Sequence, residues 1–426
     1  DVGYEKNLQF SEDPLPVFHS LQKKYSSGLV TVPTVGAGTV NTEFEILTGM
    51  RQHDFGVSEY PYKTVLKSKT SESICTDLKK LGYSTHAVHN NEATFYGRNT
   101  VFSNIGFDTF CSMEYMNGLT DSPNGWSNDD VLSREIMKTL DSTSGPDFTM
   151  AITVQSHGKY DGIALDDPTI KVTGAPEGKE QAYEYYVNEI HEVDRMIDTL
   201  IKELSNRKEE TVLVLYGDHL PSLDIQKDDL SNANLYQTQY VVWDNMNLKK
   251  KTKNLHAYQL YAEVLDRIQI HEGMITKYHQ QTKHRSKLYL TGLTTLSYDL
   301  LYRDNYAYDG ENPFKQTELQ MGTEPVKLTS VQKTKSGYRV VGSGFTPYCK
   351  VYYDGTLVES EWISSECLQL QDEFELDEAD KKDSGEPETE VTEPRDVPNA
   401  FVVEVQSDDG VVLSSTQAYP ASQVKK

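Results

Sequence analysis

A hydroxyl, an imidazole and an Asp-His pair stand in this chain at the ends of Gly-rich or apolar runs, and together such groups can handle a phosphate or sulfate ester. The hydroxyl is Thr39, within Val35-Gly36-Ala37-Gly38-Thr39-Val40-Asn41-Thr42-Glu43-Phe44-Glu45. Small residues lead into it and helix-start chemistry follows, with Asn41 or Thr42 as caps and acids in the first turn. Thr39 is therefore expected at or near a helix N-terminus, where outward backbone N–H groups favour an anion. A threonine hydroxyl is a poor nucleophile until a metal or a base takes its proton.

Two later stretches supply such groups. The apolar run Thr211-Val212-Leu213-Val214-Leu215-Tyr216 stops at Gly217-Asp218-His219, and Phe148-Thr149-Met150-Ala151-Ile152-Thr153-Val154 stops at Gln155-Ser156-His157. Carboxylate and imidazole suit Mn, Zn or a Mg-like ion, and imidazole favours the first two. A third polar cluster, His89, Asn90, Asn91, Phe95, Tyr96 and Arg98, follows the run 84–89. Arg98 is a candidate for a phosphate oxygen and Tyr96 for a glycerol or sugar face. His191, by contrast, reads as an ordinary helix residue.

The elements that must hold these groups alternate. A helix is expected over 14–27, a strand over 28–33, a helix over 71–81 closed by Gly82, and a strand over 84–89. A strand over 148–157, nearly continuously apolar, is expected to be buried on both faces. A long amphipathic helix over 182–204, strands over 210–219 and 236–243, and a helix over 257–268 complete an α/β pattern with a mostly parallel sheet. Open α/β sheets place ligands at the C-terminal ends of their strands, which is where His89, His157 and Asp218-His219 fall. From about residue 323 the pattern changes to short strands separated by turn residues, a small β-sandwich over 323–426, with an acidic loop over 371–398 expected to be mobile.

Composition narrows the function classes. At 426 residues the chain suits one large domain and a smaller one. With 65 acidic against 41 basic residues, a formal charge of -24, broad binding to nucleic acid or an anionic membrane surface is disfavoured. Cys75, Cys111, Cys349 and Cys367 form no CxxC, so free buried thiols are expected ahead of a 75–111 or 349–367 bridge. No apolar run reaches the length of a membrane span.

The stretch 36–45, the 89–98 segment, Ser156-His157-Gly158 and Tyr216-Gly217-Asp218-His219 together resemble the lipoteichoic acid synthase and phosphoglycerol transferase family of the alkaline phosphatase and sulfatase superfamily. The likeness runs from about residue 10 to 320. It implies that Thr39 is the nucleophile of a phosphoryl-enzyme intermediate and that Thr39, Asp218 and His219 bind a divalent metal, Mn being the usual ion and Mg or Zn the alternatives. It also implies that His89, Tyr96, Arg98 and His157 line a glycerol phosphate pocket, Tyr96 standing where the family often has Trp. The implied substrate is a glycerol phosphate lipid or cell-wall polymer. The implied location is the extracellular face of the bacterial cell membrane, with membrane attachment through a segment outside these residues.

One departure follows from the same resemblance. The family's first core strand is a hydrophobic run ending in a metal-binding Glu just ahead of the helix at 14–27, whereas this chain has only Asp1-Val2-Gly3-Tyr4-Glu5-Lys6-Asn7. Glu5 is not assigned that role. The expected architecture is thus a sulfatase-like α/β domain over 1–322 lacking its first core strand, followed by an Ig-like β-sandwich over 323–426. Alternative functions are phosphoethanolamine transfer, sulfatase-like hydrolysis, or a catalytically degenerate cell-surface binding protein. Sulfatases use a Cys or Ser converted to formylglycine, a conversion that Thr39 cannot undergo.

Overall fold

The computed structural model describes residues 5–56, 59–371, 374–376 and 394–425. In chain order the first part runs β1 (Gln9–Phe10), α1 (Pro16–Lys24), β2 (Ser26–Thr31), α2 (Thr39–Thr48), α3 (Ile74–Lys79), β3 (Ser84–His89), α4 (Arg98–Asn104) and β4 (Thr109–Cys111). It continues with α5 (Val131–Asp141), β5 (Asp147–Ile152), β6 (Val172–Thr173), α6 (Glu180–Asn206), β7 (Val212–Tyr216), β8 (Gln237–Asp244), β9 (Leu255–His256), α7 (Ala257–Arg267), α8 (Met274–Gln281), α9 (Lys287–Tyr302) and β10 (Gln320–Met321).

These strands form two four-stranded sheets, ordered β10-β4-β3-β5 and β7-β8-β2-β9, with β1 and β6 paired apart. The first sheet is parallel throughout. In the second, β8 runs antiparallel to both β7 and β2, and only β2 and β9 are parallel. No α-helix lies between β7 and β8, and a parallel return needs a crossover of a dozen or more residues, usually helical.

Helices cover both faces of these sheets. The stripe Ile190, Val193, Ile197, Leu200 and Leu204 of α6 packs with Leu132 and Ile136 of α5 and with Leu213 and Leu215 of β7. On the opposite face, Leu260 and Val264 of α7 and Ile46 of α2 meet Val212, Val214 and Tyr216. Alternate residues of β7 thus enter different cores, the period-two geometry of a central strand. Even so, every residue of β7 is only half-buried, and in β5 Ala151 is exposed. The expectation of a strand buried on both faces therefore fails in part, because β5 pairs only with β3 and β7 only with β8.

Local chemistry sets the helix ends. Ser73 caps α3, accepting from the backbone N–H of Cys75 at 3.1 Å and Thr76 at 3.3 Å, so the helix begins three residues after the expected 71. At α1, Pro16 occupies the first turn, and the Asp194 carboxylate of α6 accepts from the N–H groups of Val17 at 2.8 Å and Phe18 at 2.9 Å.

The last part holds β11 (Lys327–Thr334), β12 (Gly337–Ser343), β13 (Cys349–Tyr353), β14 (Thr356–Val358), β15 (Ser360–Ser364), β16 (Cys367–Leu370), β17 (Ala400–Gln406), β18 (Val412–Ser415) and β19 (Tyr419–Pro420). They make a β-sandwich of two sheets, β11-β12-β16-β15 and β14-β13-β17-β18 with β19 beside β17, over a shared core that includes Val331, Val340, Phe345, Val351, Phe401 and Val403. Most of the acidic stretch 371–398, namely 372–373 and 377–393, lies outside the described residues. All four cysteines are free, and Cys75, Cys111 and Cys349 are buried. Among the described residues no helix is long and apolar enough to cross a membrane.

Candidate functional site

Thr39 is the first residue of α2, and the residue before it, Gly38, has φ 97°. A Cβ at Gly38 would come within 2.8 Å of the Thr34 hydroxyl, so both the left-handed backbone and the space call for glycine. This turn starts the helix earlier than the cap residues suggested, which corrects the assignment of Asn41 or Thr42 as N-cap and leaves no acid in the first turn. The Thr42 hydroxyl instead donates to the Asp218 carbonyl at 2.7 Å, tying α2 to the loop that leaves β7. Sequence reasoning gave Thr42 no such role. A cap and a tether use the same hydroxyl, and only the partner distinguishes them.

Thr39 Oγ1 lies 3.4 Å from His219 Nε2, and that nitrogen is 3.2 Å from Asp218 Oδ2. His219 Nδ1 is 2.7 Å from the Leu220 carbonyl oxygen, which can only accept, so Nδ1 carries the ring hydrogen. In the neutral ring Nε2 therefore turns a lone pair toward a carboxylate oxygen and a hydroxyl. Three electron-rich atoms converging in this way suit a cation in kind. In number they fall short: among the described residues no group of three or more His, Cys, Asp or Glu gathers as a metal site.

His157 leaves β5 and lines the same cavity as Thr39, Asp218 and His219. Its Nδ1 is 2.7 Å from the Gly158 carbonyl, and the Trp126 ring stands edge-on to it at 4.9 Å. Asn124 Nδ2 donates to the His157 carbonyl at 2.9 Å and Trp126 Nε1 to that of Gly158 at 2.9 Å, so the 122–127 segment braces this loop. His89 closes β3 with only 3 % exposure and donates Nδ1–H to the Ile152 carbonyl at 2.9 Å. Burial, then the charge of Arg98, holds its imidazole well below its ordinary pKa, and the ring is neutral.

Arg98 is almost wholly inside the protein, at 1 % exposure, with Nη2 2.6 Å and Nε 3.2 Å from the two carboxylate oxygens of Glu43. Glu43 is on α2, one turn after Thr39, so this bidentate pair ties the helix carrying the hydroxyl to the 89–98 segment. The Arg98 guanidinium also lies 5.4 Å from the Tyr96 ring centroid. Tyr96, at φ 61°, stacks on Tyr60 at 6.1 Å, and the Lys63 ammonium sits 5.1 Å from each ring. Glu5, left unassigned from sequence, accepts from the Tyr183 hydroxyl at 2.8 Å. His191 Nδ1 donates to the Pro14 carbonyl at 2.9 Å.

Asp129, fully buried, was invisible to motif reading. Its carboxylate accepts from Asn90 Nδ2 at 2.8 Å and from the backbone N–H groups of Val154 at 2.9 Å and Gln155 at 3.2 Å. Asn90 follows His89, and Val154-Gln155 precede His157, so one carboxylate pins together the loops that carry both histidines. Burial pushes its pKa up to about 7. The β-sandwich supports the same region from behind. Thr346 Oγ1 donates to the Glu114 carbonyl, at 2.6 Å, and the Glu114 carboxylate accepts from the N–H of Ala93, at 3.1 Å, inside the 89–98 segment. Among the described residues, none beyond Ile270 lines the cavity.

A family model described as Sulfatase matches residues 1–270. A Rhizobium meliloti protein named for cyclic beta-1,2-glucan modification is 30% identical over 262 residues, covering 57% of this chain and 40% of that protein. Lipoteichoic acid synthase 2 of Bacillus subtilis is 24% identical over 199 residues, 46% of this chain and 30% of that protein. The chain thus spans less than half the length of these two relatives. Among solved structures, the Streptococcus pyogenes phosphoglycerol transferase GacH in complex with sn-glycerol-1-phosphate superposes with a TM-score of 0.61 at 22% identity, covering 74% of this chain and 87% of that one.

Proposed function

The chain belongs to the sulfatase family, and from that premise we propose that it forms the catalytic part of an extracytoplasmic phosphoglycerol transferase or phosphodiesterase with Thr39 as nucleophile. The observation that carries this reading is the placement of Thr39 Oγ1 at the start of α2, 3.4 Å from a His219 Nε2 whose Nδ1 is committed to a carbonyl. Thr39 Oγ1 attacks the phosphorus of a glycerol phosphate donor, the bond to the donor's leaving oxygen breaks, and a phosphothreonine ester forms. The hydroxyl proton goes to the nearest base, His219 Nε2, and the N-terminal N–H groups of α2 face the phosphoryl oxygens. An acceptor hydroxyl, or water in hydrolysis, then releases the group by the reverse attack.

Thr39, Asp218 and His219 are the residues that would hold a divalent ion, Mn in this reading. Such an ion, when bound, lowers the hydroxyl pKa and offsets phosphoryl charge. His89 and His157 engage Nδ1 with backbone carbonyls, so each offers Nε2 to accept from a glycerol hydroxyl. Tyr96, within electrostatic reach of Asp218, would form the wall beside them. Arg98, paired to Glu43, acts on the substrate mainly by fixing that wall.

A second reading concerns the acceptor. The name of the Rhizobium meliloti relative and the stacked Tyr60 and Tyr96 rings support a glycan, since aromatic faces present flat apolar surface to sugar rings. The test is covalent trapping: incubation with phosphatidylglycerol and Mn, then peptide mass spectrometry. Glycerol phosphate on Thr39, absent in Thr39→Ala, is the expected result. Modification elsewhere, or labelling by phosphatidylethanolamine alone, overturns it. Adding a β-1,2-glucan to the trapped protein tests the acceptor.

A further inference from the structure

Helix α9 turns an uncharged face to the outside. Its inward side, with Leu293, Leu300 and Leu301, is buried in the core of the α/β domain. Its outward side carries Leu288, Thr291, Thr295, Tyr298 and Tyr302, spaced three and four residues apart and therefore aligned along one face for about 21 Å. Leu288 is 74 % exposed, Tyr298 49 % and Tyr302 48 %, with Leu290 at 42 % beside them. A surface helix ordinarily points charged residues at water. From Leu288 to Tyr302 the sole charged residue is Asp299, which is half-buried and accepts from the backbone N–H groups of Tyr306 at 3.0 Å and Ala307 at 2.9 Å.

Cations bracket this stripe. Exposed Lys283, Arg285 and Lys287 precede it, and residues 273–298 hold no acid although the chain has 65. At the far end the Arg303 guanidinium lies 5.3 Å from the Tyr298 ring centroid, and Tyr306 follows at 73 % exposure, with exposed Asp304 the opposing charge between them. Leucines that enter an acyl boundary, tyrosines at headgroup level and long cationic side chains on phosphates are the parts of an interfacial helix. A sugar polymer suits the tyrosines but gains little from Leu288 and Leu290, which offer neither a hydrogen bond nor a flat ring. The net charge of -24 opposes such docking only weakly, because at physiological ionic strength a charge is felt over about 8 Å.

The stripe also adjoins the candidate site. Thr294 Oγ1 donates to Asp54 Oδ2 at 2.9 Å, and the Tyr302 ring lies 6.1 Å from that of Phe55, itself 5.2 Å from Phe44 of α2. Tyr302 is within electrostatic reach of Glu59, and the next residue, Tyr60, stacks on Tyr96. Helix α9 therefore flanks the residues that lead from the helix of Thr39 to the Tyr96 ring.

We propose that the outward face of α9 docks on the surface of a bilayer containing anionic phospholipid, with Leu288 and Leu290 in the acyl boundary, Tyr298, Tyr302 and Tyr306 at headgroup level, and Lys283, Arg285 and Lys287 on the phosphates. This is the surface on which the proposed lipid donor is met, and in that respect the inference rests on the phosphoglycerol reading.

Vesicle co-sedimentation tests the docking without any turnover. Residues 1–426 are mixed, at about 0.15 M salt, with vesicles of phosphatidylcholine alone or of phosphatidylcholine and phosphatidylglycerol in equal parts. The expected result is binding to the mixed vesicles at least tenfold tighter than to phosphatidylcholine. The double variant Leu288→Ser, Leu290→Ser should lose tenfold or more, and the triple variant Lys283→Gln, Arg285→Gln, Lys287→Gln should lose the preference for phosphatidylglycerol. Both should melt with the parent chain, since the replaced side chains are exposed. The proposal is overturned if the parent binds neither vesicle, if the variants bind as the parent does, or if a β-1,2-glucan binds in place of the vesicles and is lost in Tyr298→Ala. Vesicle binding of the expected pattern with no covalent trapping on Thr39 overturns the transferase reading and upholds the docking face.

Discussion

The reactive edge and the scaffold directly behind it treat polar groups in opposite ways. At the edge, Thr39, Asp218 and His219 are partly exposed, and the His219 Nε2 faces both the Thr39 hydroxyl and the Asp218 carboxylate. Behind it, the buried Arg98 pairs with Glu43, and the buried Asp129 carboxylate accepts from Asn90, Val154 and Gln155. An unpaired polar group is tolerable where water or substrate reaches it and expensive where neither does. The difference teaches that stability and chemistry are separable here. Substitutions in the scaffold should cost stability first, and substitutions at the edge should cost turnover first.

The largest effect is expected from Arg98→Ala, which strands the Glu43 carboxylate without its partner. Urea unfolding should show a loss of about 3–5 kcal/mol, and a loss below about 1 kcal/mol would mean that the pair is not a scaffold element. Asp129→Ala comes next. Removing an acceptor from three buried donors should cost about 1–3 kcal/mol and speed amide exchange at Val154 and Gln155, with Asp129→Asn intermediate. Unchanged exchange there would separate Asp129 from the histidine loops.

A change of pH probes the same scaffold. Burial raises the carboxyl groups of Glu45 and Asp77 to about 8 and that of Asp129 to about 7, from ordinary values of 4.5 and 3.8. Between those limits the folded protein keeps protons that the unfolded chain releases, so stability falls as pH rises through that window and levels off above it. The unfolding free energy measured by urea titration should be higher at pH 5.5 than at pH 8 by at least about 1 kcal/mol. The opposite slope would show that these carboxylates are ionised in the folded protein.

Thr42→Val removes the tether to the Asp218 carbonyl at nearly constant volume, and should cost about 1 kcal/mol together with a weaker Mn affinity measured by calorimetry. Thr39→Ala should change stability least, within about 0.5 kcal/mol, and yet abolish covalent trapping. A stability loss as large as that of Arg98→Ala would place Thr39 in the scaffold and break the comparison.

Much of this organisation was legible in the sequence. Apolar runs that stop at His89, His157 and Asp218-His219 announce strands whose ends gather polar groups, and Gly36-Ala37-Gly38 ahead of Thr39 announces a tight turn into a helix. Those features are local. Side-chain period, turn residues and order along the chain fix them within a few residues, as the spans of β3, α6 and α7 show.

Tertiary structure alone decided which polar groups are paired and which are left open. Arg98 and Glu43 are 55 positions apart and Asp129 and Val154 are 25 apart, and no periodicity links such partners. The same holds for burial. The strand over 148–157 reads as covered on both faces, but β5 is buried only at Met150 and Ile152 and exposes Ala151, because among the described residues it pairs on one edge only, with β3. Apolar composition belongs to the segment itself, whereas the edge it presents belongs to whatever the rest of the polypeptide places beside it.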